Sequence, residues 1–182
     1  MEWKNRRTNE GFHGYEELLV ERLKAALPNV DTATYDELVR EVLEEYKDQT
    51  FTYTRDPVQR LKADGYPLFA ISGSRQEVID LLAKHHGFDA AIGGQFIRQD
   101  GRFTGDYTTP VFDKKAALDS LVEQFGATYD ESYAVGDSAS DAAMLEAVTH
   151  PIAFSPDQNL YKIARAKQWP IVVERKNVIY EL

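Results

Sequence analysis

The stretch Tyr133–Leu145 reads YAVGDSASDAAML: a short apolar run ends in Gly136, and two aspartates, Asp137 and Asp141, follow one helical turn apart. The apolar run is a buried strand by its length and bounds, and the segment around Ala142–Val148 is a helix. With Asp137 at the strand end and Asp141 one turn into the helix, both carboxylates can point at one spot. Such a pair suits a hard cation with oxygen ligands, such as Mg²⁺. The plainer reading makes them an N-cap and a dipole-favoured acid of the first turn. These residues alone leave both readings open.

The same alternation continues on either side. Pro57–Asp64 is a helical pattern stopped by Gly65, and the apolar run YPLFAIS follows. SGSRQEVIDLLAKHHG then reads as a helix opened by Ser74 and Glu77 and closed by Gly87. Asp100-Gly101 supplies a hairpin turn. Ala117, Leu118, Leu121, Val122 and Phe125 share one face of a helix stopped by Gly126. After the strand SYAVG and its helix come the strand PIAF, a helix to Gln168, and a last hairpin in PIVVERKNVIYEL. Strands alternating with helices predict an α/β fold, a parallel sheet with helices on both faces.

The first fifty residues differ. Tyr15, Leu18, Leu19, Leu23, Ala26 and Leu27 form one helical stripe, and Tyr35, Leu38, Val39, Val42, Leu43 and Tyr46 form another. Pro28 and Asn29 separate them, and Thr34 with Glu37 reads as a capping box opening the second helix. Residues 1–52 are expected to be a helical cap segment, a helical hairpin in form. Residues 53–182 are expected to be an α/β core closed by the C-terminal hairpin.

Composition narrows the classes of function. The 182 residues carry 30 Asp and Glu against 21 Lys and Arg, a formal net charge of -9. That charge repels nucleic acid and anionic membrane surfaces, and it attracts divalent cations. The chain has no cysteine, which excludes disulfides, thiolate metal sites and a cysteine nucleophile, and suits a reducing cytoplasm. No apolar run reaches the roughly 20 residues of a membrane span. The expected partner is a small molecule, with neither nucleic acid nor membrane. Nothing in the residues speaks to the oligomeric state.

In an open parallel sheet, ligands bind beyond the carboxyl ends of the strands, so residues just after each apolar run are the candidates. After YPLFAI come Ser72, Gly73 and Ser74, at a helix start whose free N–H groups favour an anion. Their plainer reading is a turn and a cap. Lys114-Lys115 open the helix before SYAVG, against the helix dipole, which hints at an anionic partner. A solvated helix face is the plainer reading for that pair.

In this order and these strand contexts, the three places resemble the motifs of the haloacid dehalogenase (HAD) superfamily of phosphotransferases, from about residue 56 to the C-terminus. Ser72 in FAISGS looks like the second motif, whose hydroxyl and following N–H hold the phosphoryl group; this implies Ser72 and Gly73 as phosphate-binding residues. Lys114 in KKAAL looks like the third-motif lysine, which balances phosphate and carboxylate charge. It is preferred to Lys115 because the family's spacing puts leucine four residues later, here Leu118. GDSASD matches the fourth motif, implying Asp137 as a Mg²⁺ ligand and Asp141 as a second acid supporting the metal or the lysine. The order of motifs, the DGRFTGDY hairpin and the preceding helical segment look most like the phosphoserine phosphatase-like branch. The resemblance implies a Rossmann-like core with a small helical cap, a Mg²⁺ cofactor, and hydrolysis of a small phosphorylated metabolite through an aspartyl-phosphate.

The family's nucleophile is the first aspartate of an Asp-x-Asp motif that ends a strand, and this sequence contains no Asp-x-Asp. The nearest candidate, NVDTATYDE, has Ala33 at the second acid, and its Asp31 and Thr34 read as turn and cap residues between two helices. The chain is therefore expected to start inside the cap, with the nucleophile and its central strand missing. Two functions compete: a Mg²⁺-dependent phosphatase seen without its nucleophile, or an inactive phosphate- and metal-binding relic or subunit. A nucleotide-binding module has no support, since neither GxGxxG nor GxxxxGK[ST] occurs.

Overall fold

The computed structural model describes residues 9–110, 113–175 and 178–182. Helix α1 (Asn9–Ala26) runs into a 3₁₀ turn at Leu27–Asn29, followed by α2 (Thr32–Tyr46), α3 (Thr52–Ala63), β1 (Phe69–Arg75) and α4 (Gln76–His86). Next come the hairpin β2 (Ala90–Gln99) and β3 (Arg102–Thr108), then α5 (Lys114–Gln124) and β4 (Tyr133–Gly136). A 3₁₀ turn at Ala139–Asp141 leads into α6 (Ala142–Ala147), and the chain ends with β5 (His150–Phe154), α7 (Gln158–Lys167), β6 (Ile171–Arg175) and β7 (Val178–Glu181). The turn between β6 and β7, at positions 176–177, lies outside the described residues, as does the start of the expected cap segment at positions 1–8.

The architecture is α/β, with helices flanking mixed sheets. The strands divide between two ladders, where the alternation alone predicts one sheet. One ladder has the order β1-β2-β3, with β1 and β2 parallel and β3 antiparallel. The other has the order β4-β5-β6-β7, parallel until the antiparallel β7. Both β1 and β4 are therefore edge strands, although they are parallel strands of a kind normally buried on both sides. Tyr133 and Val135 of β4 are each 43% exposed. Helix α5 bridges the ladders: Phe125 just beyond it packs on Phe69 of β1 with ring centroids 5.0 Å apart, and its first residue reaches Asp141 beyond β4.

Each ladder has its own apolar core. Leu145, Leu160, Ala164 and Ile171 close around Ala153 beneath the second, while Leu27, Phe96 and Phe103 form the first, with Leu23, Tyr35 and Tyr107 packed against them. Burying each of the large side chains contributes about 1.5–3 kcal/mol. Leu27 thus ties the helical segment to the β2–β3 hairpin. The stripe on α2 is buried less than its pattern predicts: Leu38, Val42 and Tyr46 are largely exposed, and α2 rests on α4. Among the described residues, no helix is long and apolar enough to cross a membrane.

Three helix starts depart from the sequence reading, two because a carboxylate takes over the first N–H groups and one because the strand before it runs on. At α2 the cap is Asp31, not the Thr34–Glu37 box: its carboxylate accepts from the Thr34 N–H at 2.8 Å and the Thr34 hydroxyl at 2.7 Å. A carboxylate outcompetes a hydroxyl at the positive end of a helix. Helix α3 starts at Thr52, five residues before Pro57, because the Glu174 carboxylate of β6 accepts from the N–H groups of Thr52 and Tyr53 at 3.1 and 2.9 Å. Helix α4 starts at Gln76 instead of Ser74. The strand continues through Arg75, and the Gln76 side chain is drawn to β2, where it accepts from the Gly93 N–H at 2.6 Å.

Candidate functional site

Strand β4 delivers the chain to Gly136, and Asp141 folds back beneath that end. Its Oδ2 accepts from the backbone N–H groups of Asp137 and Ser138, both at 3.0 Å, and its Oδ1 accepts from Lys114 Nζ at 2.5 Å. The pair is buried: Lys114 is 8% exposed and Asp141 3%. Two backbone donors and one ammonium answer the carboxylate, which offsets the cost of desolvating both charges. The turn leaves no room at Gly136, where a Cβ would stand 2.5 Å from Asp141 Cβ and 2.8 Å from its carboxyl carbon. Gly136→Ala must therefore push Asp141 off its donors. A loss of about 1–3 kcal/mol is expected, read as a lower melting temperature; an unchanged value would show that the turn has slack.

Asp137 projects from the same turn and stays exposed. Loss of hydration at the strand end, and then repulsion from Asp141 and more weakly from Asp157, push its carboxyl above the ordinary aspartate range; Lys114 opposes the rise. Asp157 is a residue that the sequence reading passed over. It caps α7 by accepting from the Leu160 N–H at 2.7 Å, also accepts from the Ala139 N–H at 3.3 Å, and its own N–H donates to the Asp137 carbonyl at 2.7 Å. The signal was present in the sequence: Asp157 follows the strand PIAF as Asp137 follows SYAVG.

The expected phosphate-binding residues lie on the other ladder. Between Ile71, paired with Ile92, and Arg75, paired with Gly94, four steps of β1 face two of β2, so the backbone bulges through Ser72, Gly73 and Ser74. Ser72 Oγ accepts from the Ser74 N–H at 3.1 Å, and the Gly73 carbonyl accepts from the Tyr107 hydroxyl at 3.3 Å. Gly93 lets this bulge lie close, since a Cβ there would stand 2.9 Å from the Ser74 carbonyl oxygen and from Gln76 Cα. Lys114, Asp137 and Asp141 therefore come together at the end of β4, while Ser72 and Gly73 sit at the end of β1. Among the described residues, no hydrogen bond joins the two groups. Of the adjacent lysines, Lys114 enters this site and Lys115 turns to the surface, donating to Asp119 at 2.5 Å.

Among the described residues, no three His, Asp or Glu side chains converge as a metal-binding group. Both Asp141 oxygens are engaged within the chain, and both Asp157 oxygens accept backbone N–H groups. Among the described residues, Asp137 pairs with no cation and is crowded by two further acids, which fits one carboxylate of a cation site.

The family model for haloacid dehalogenase-like hydrolases matches residues 3–146. The chain belongs to this family. A probable phosphatase of Mycobacterium tuberculosis is 28% identical over 160 residues, covering 84% of this chain and 56% of that relative. A phosphoserine phosphatase of the same organism is 30% identical over 115 residues, covering 62% of this chain and 28% of its own length. The chain is thus a phosphoserine phosphatase-like member of the superfamily that spans about half or less of the length of these relatives. A protein of unknown function from Bordetella pertussis shares the fold, with a TM-score of 0.73 at 22% identity, covering 93% of this chain and 87% of that one.

Proposed function

We propose that this chain provides the phosphate- and metal-binding part of a Mg²⁺-dependent phosphatase acting on a small phosphorylated metabolite. The observation that carries the reading is the buried Lys114–Asp141 pair at the end of β4, with Asp137 free beside it. Ser72 and the N–H of Gly73 hold phosphoryl oxygens, and Lys114 balances their charge. Asp137 is the metal ligand supplied by this chain, and Asp141 acts through Lys114 by holding its ammonium in place. Bound Mg²⁺ would neutralise phosphoryl charge as the bond to phosphorus changes.

None of the described carboxylates near this pair is both free and separate from the cation position. The attacking carboxylate is therefore assigned to a further strand between β1 and β4, a reading supported by the open edges of both. The division into a helical cap at 1–52 and a core at 53–182 is part of the same proposal. A second reading, a binding subunit without turnover, is favoured because Asp137 is the single free carboxylate at the site among the described residues.

Calorimetry tests the metal assignment. Asp137→Asn is expected to weaken Mg²⁺ binding by at least about tenfold, whereas Asp119→Asn, on the exposed face of α5, leaves it unchanged. Equal effects of the two substitutions would remove Asp137 from the metal site.

A further inference from the structure

Three successive backbone N–H groups follow β4, and two carboxylates from different strand ends divide them. Asp141 takes those of Asp137 and Ser138, and Asp157 takes that of Ala139 through its Oδ2 at 3.3 Å. Asp157 reaches the same turn a second time through its own N–H, which donates to the Asp137 carbonyl at 2.7 Å. The backbone of Asp137 is therefore held on both sides, its N–H by Asp141 from within the turn and its carbonyl by Asp157 from the connection after β5. Without the Asp157 carboxylate the Ala139 N–H loses that acceptor, and only the backbone bond remains on this side of the turn.

The chain bends sharply just before Asp157. Two residues earlier, Ser155 sits at φ 44°, in the left-handed region that a serine enters at a cost, and its N–H donates to the Val172 carbonyl of β6 at 2.7 Å. A helix cap needs one carboxylate oxygen: Asp113 caps α5 through Oδ1, which accepts from the Ala116 N–H at 2.9 Å. Asp157 caps α7 with its Oδ1 and has its Oδ2 for the β4 turn.

We infer that Asp157 is a positioning residue for the cation site, and that by fixing the backbone of Asp137 it makes the site discriminate Mg²⁺ from Ca²⁺. The inference rests on the proposed role of Asp137 as metal ligand. Mg²⁺ demands near-octahedral oxygens at about 2.0–2.1 Å, whereas Ca²⁺ accepts them at about 2.3–2.6 Å in varied geometry. A carboxylate whose backbone is held at both its N–H and its carbonyl suits the stricter ion. Loosening it weakens Mg²⁺ binding more than Ca²⁺ binding, while the loss of a nearby negative charge weakens both alike.

NMR-monitored titrations with MgCl₂ and with CaCl₂ test this. Asp157→Ser keeps a cap for α7, since a serine hydroxyl caps a helix about as well as a carboxylate, but it is too short to serve Ala139 as well. The variant is expected to keep its melting temperature nearly unchanged and to exchange the Ala139 amide hydrogen faster in the metal-free chain. It is also expected to bind Mg²⁺ about tenfold more weakly and Ca²⁺ at most about threefold more weakly. Asp157→Asn, of the original size but with one acceptor oxygen for two N–H groups, is expected to act likewise and serves if the serine variant does not fold. Asp113→Ser removes a charge from the cap of α5 and should leave the ratio of the two affinities as it was. Equal weakening of the two cations, no weakening of either, or unchanged Ala139 exchange in a folded variant overturns the inference and leaves Asp137 as the ligand. Failure of both cations to shift the resonances of Asp137 in the unaltered chain overturns the metal assignment and this inference with it.

Discussion

Lys114→Met is expected to lower the melting temperature by about 6–20 °C. The substitution keeps the volume of the side chain and removes its ammonium, so Asp141, only 3% exposed, retains its backbone donors but loses its counter-charge. Breaking one side of a buried pair costs about 3–5 kcal/mol, and each kcal/mol is worth about 2–4 °C in a domain of this size. Lys115→Met is the control, because Lys115 pairs with Asp119 at the surface, where water and salt screen the interaction; it should leave the melting temperature nearly unchanged. The double change Lys114→Met with Asp141→Asn should recover much of the loss, since it removes both charges and keeps an acceptor for the turn. If the two lysines proved equivalent, Lys114 would not be the buried partner, and the proposed balance of phosphoryl charge would fall with it.

A larger effect is expected on activity. By itself the chain should hydrolyse p-nitrophenyl phosphate slowly or not at all, because metal, serine and lysine can hold a phosphate but cannot attack it. Supplying an extended apolar segment that ends in Asp-x-Asp, as a fusion or a separate peptide, should raise Mg²⁺-dependent hydrolysis by at least about a hundredfold, since nucleophile and metal site act as a unit. The same addition should raise the melting temperature by pairing the open edges of β1 and β4 and covering Tyr133 and Val135. A segment with both aspartates changed to asparagine should stabilise equally and give no turnover, which separates sheet completion from chemistry. Substantial hydrolysis by residues 1–182 alone, abolished by Asp31→Asn, would falsify the assignment. The position of Asp31 is instead that of a structural residue, since it caps α2 and its backbone forms an isolated antiparallel β-bridge with the backbone of Arg102 in β3. Stabilisation without turnover from the Asp-x-Asp segment would favour the non-catalytic binding subunit.

Much of the β4 site was legible in the sequence. GDSASD after an apolar run placed Asp137 at a strand end and Asp141 in the turn that follows; the preference for Lys114, the lysine that the structure buries, came from the family resemblance and its leucine four residues later, and the residues alone did not supply it. These are local matters, governed by the period of a helix and by a strand that gives way at glycine. Less legible was how Asp141 would be used. Its two oxygens serve two backbone N–H groups and Lys114, a choice that depends on α5 lying against the end of β4. Asp157 was missed because a cap reads the same whether or not a second turn packs on it.

By itself the sequence determined the alternation of strands and helices, the turn at Gly136 and the chemical types at each strand end, because each depends on residues within a few positions of one another. Tertiary structure alone decided where α3 begins, through Glu174 more than 120 positions away, and it decided that the strands form two ladders with open edges at β1 and β4. It also decided that Arg98 is consumed by Asp36 and Glu77 while Arg75 is left on the rings of Phe96 and Tyr107. Charge partners brought together across the fold are fixed by distance and desolvation, and neither leaves a periodic trace in the chain.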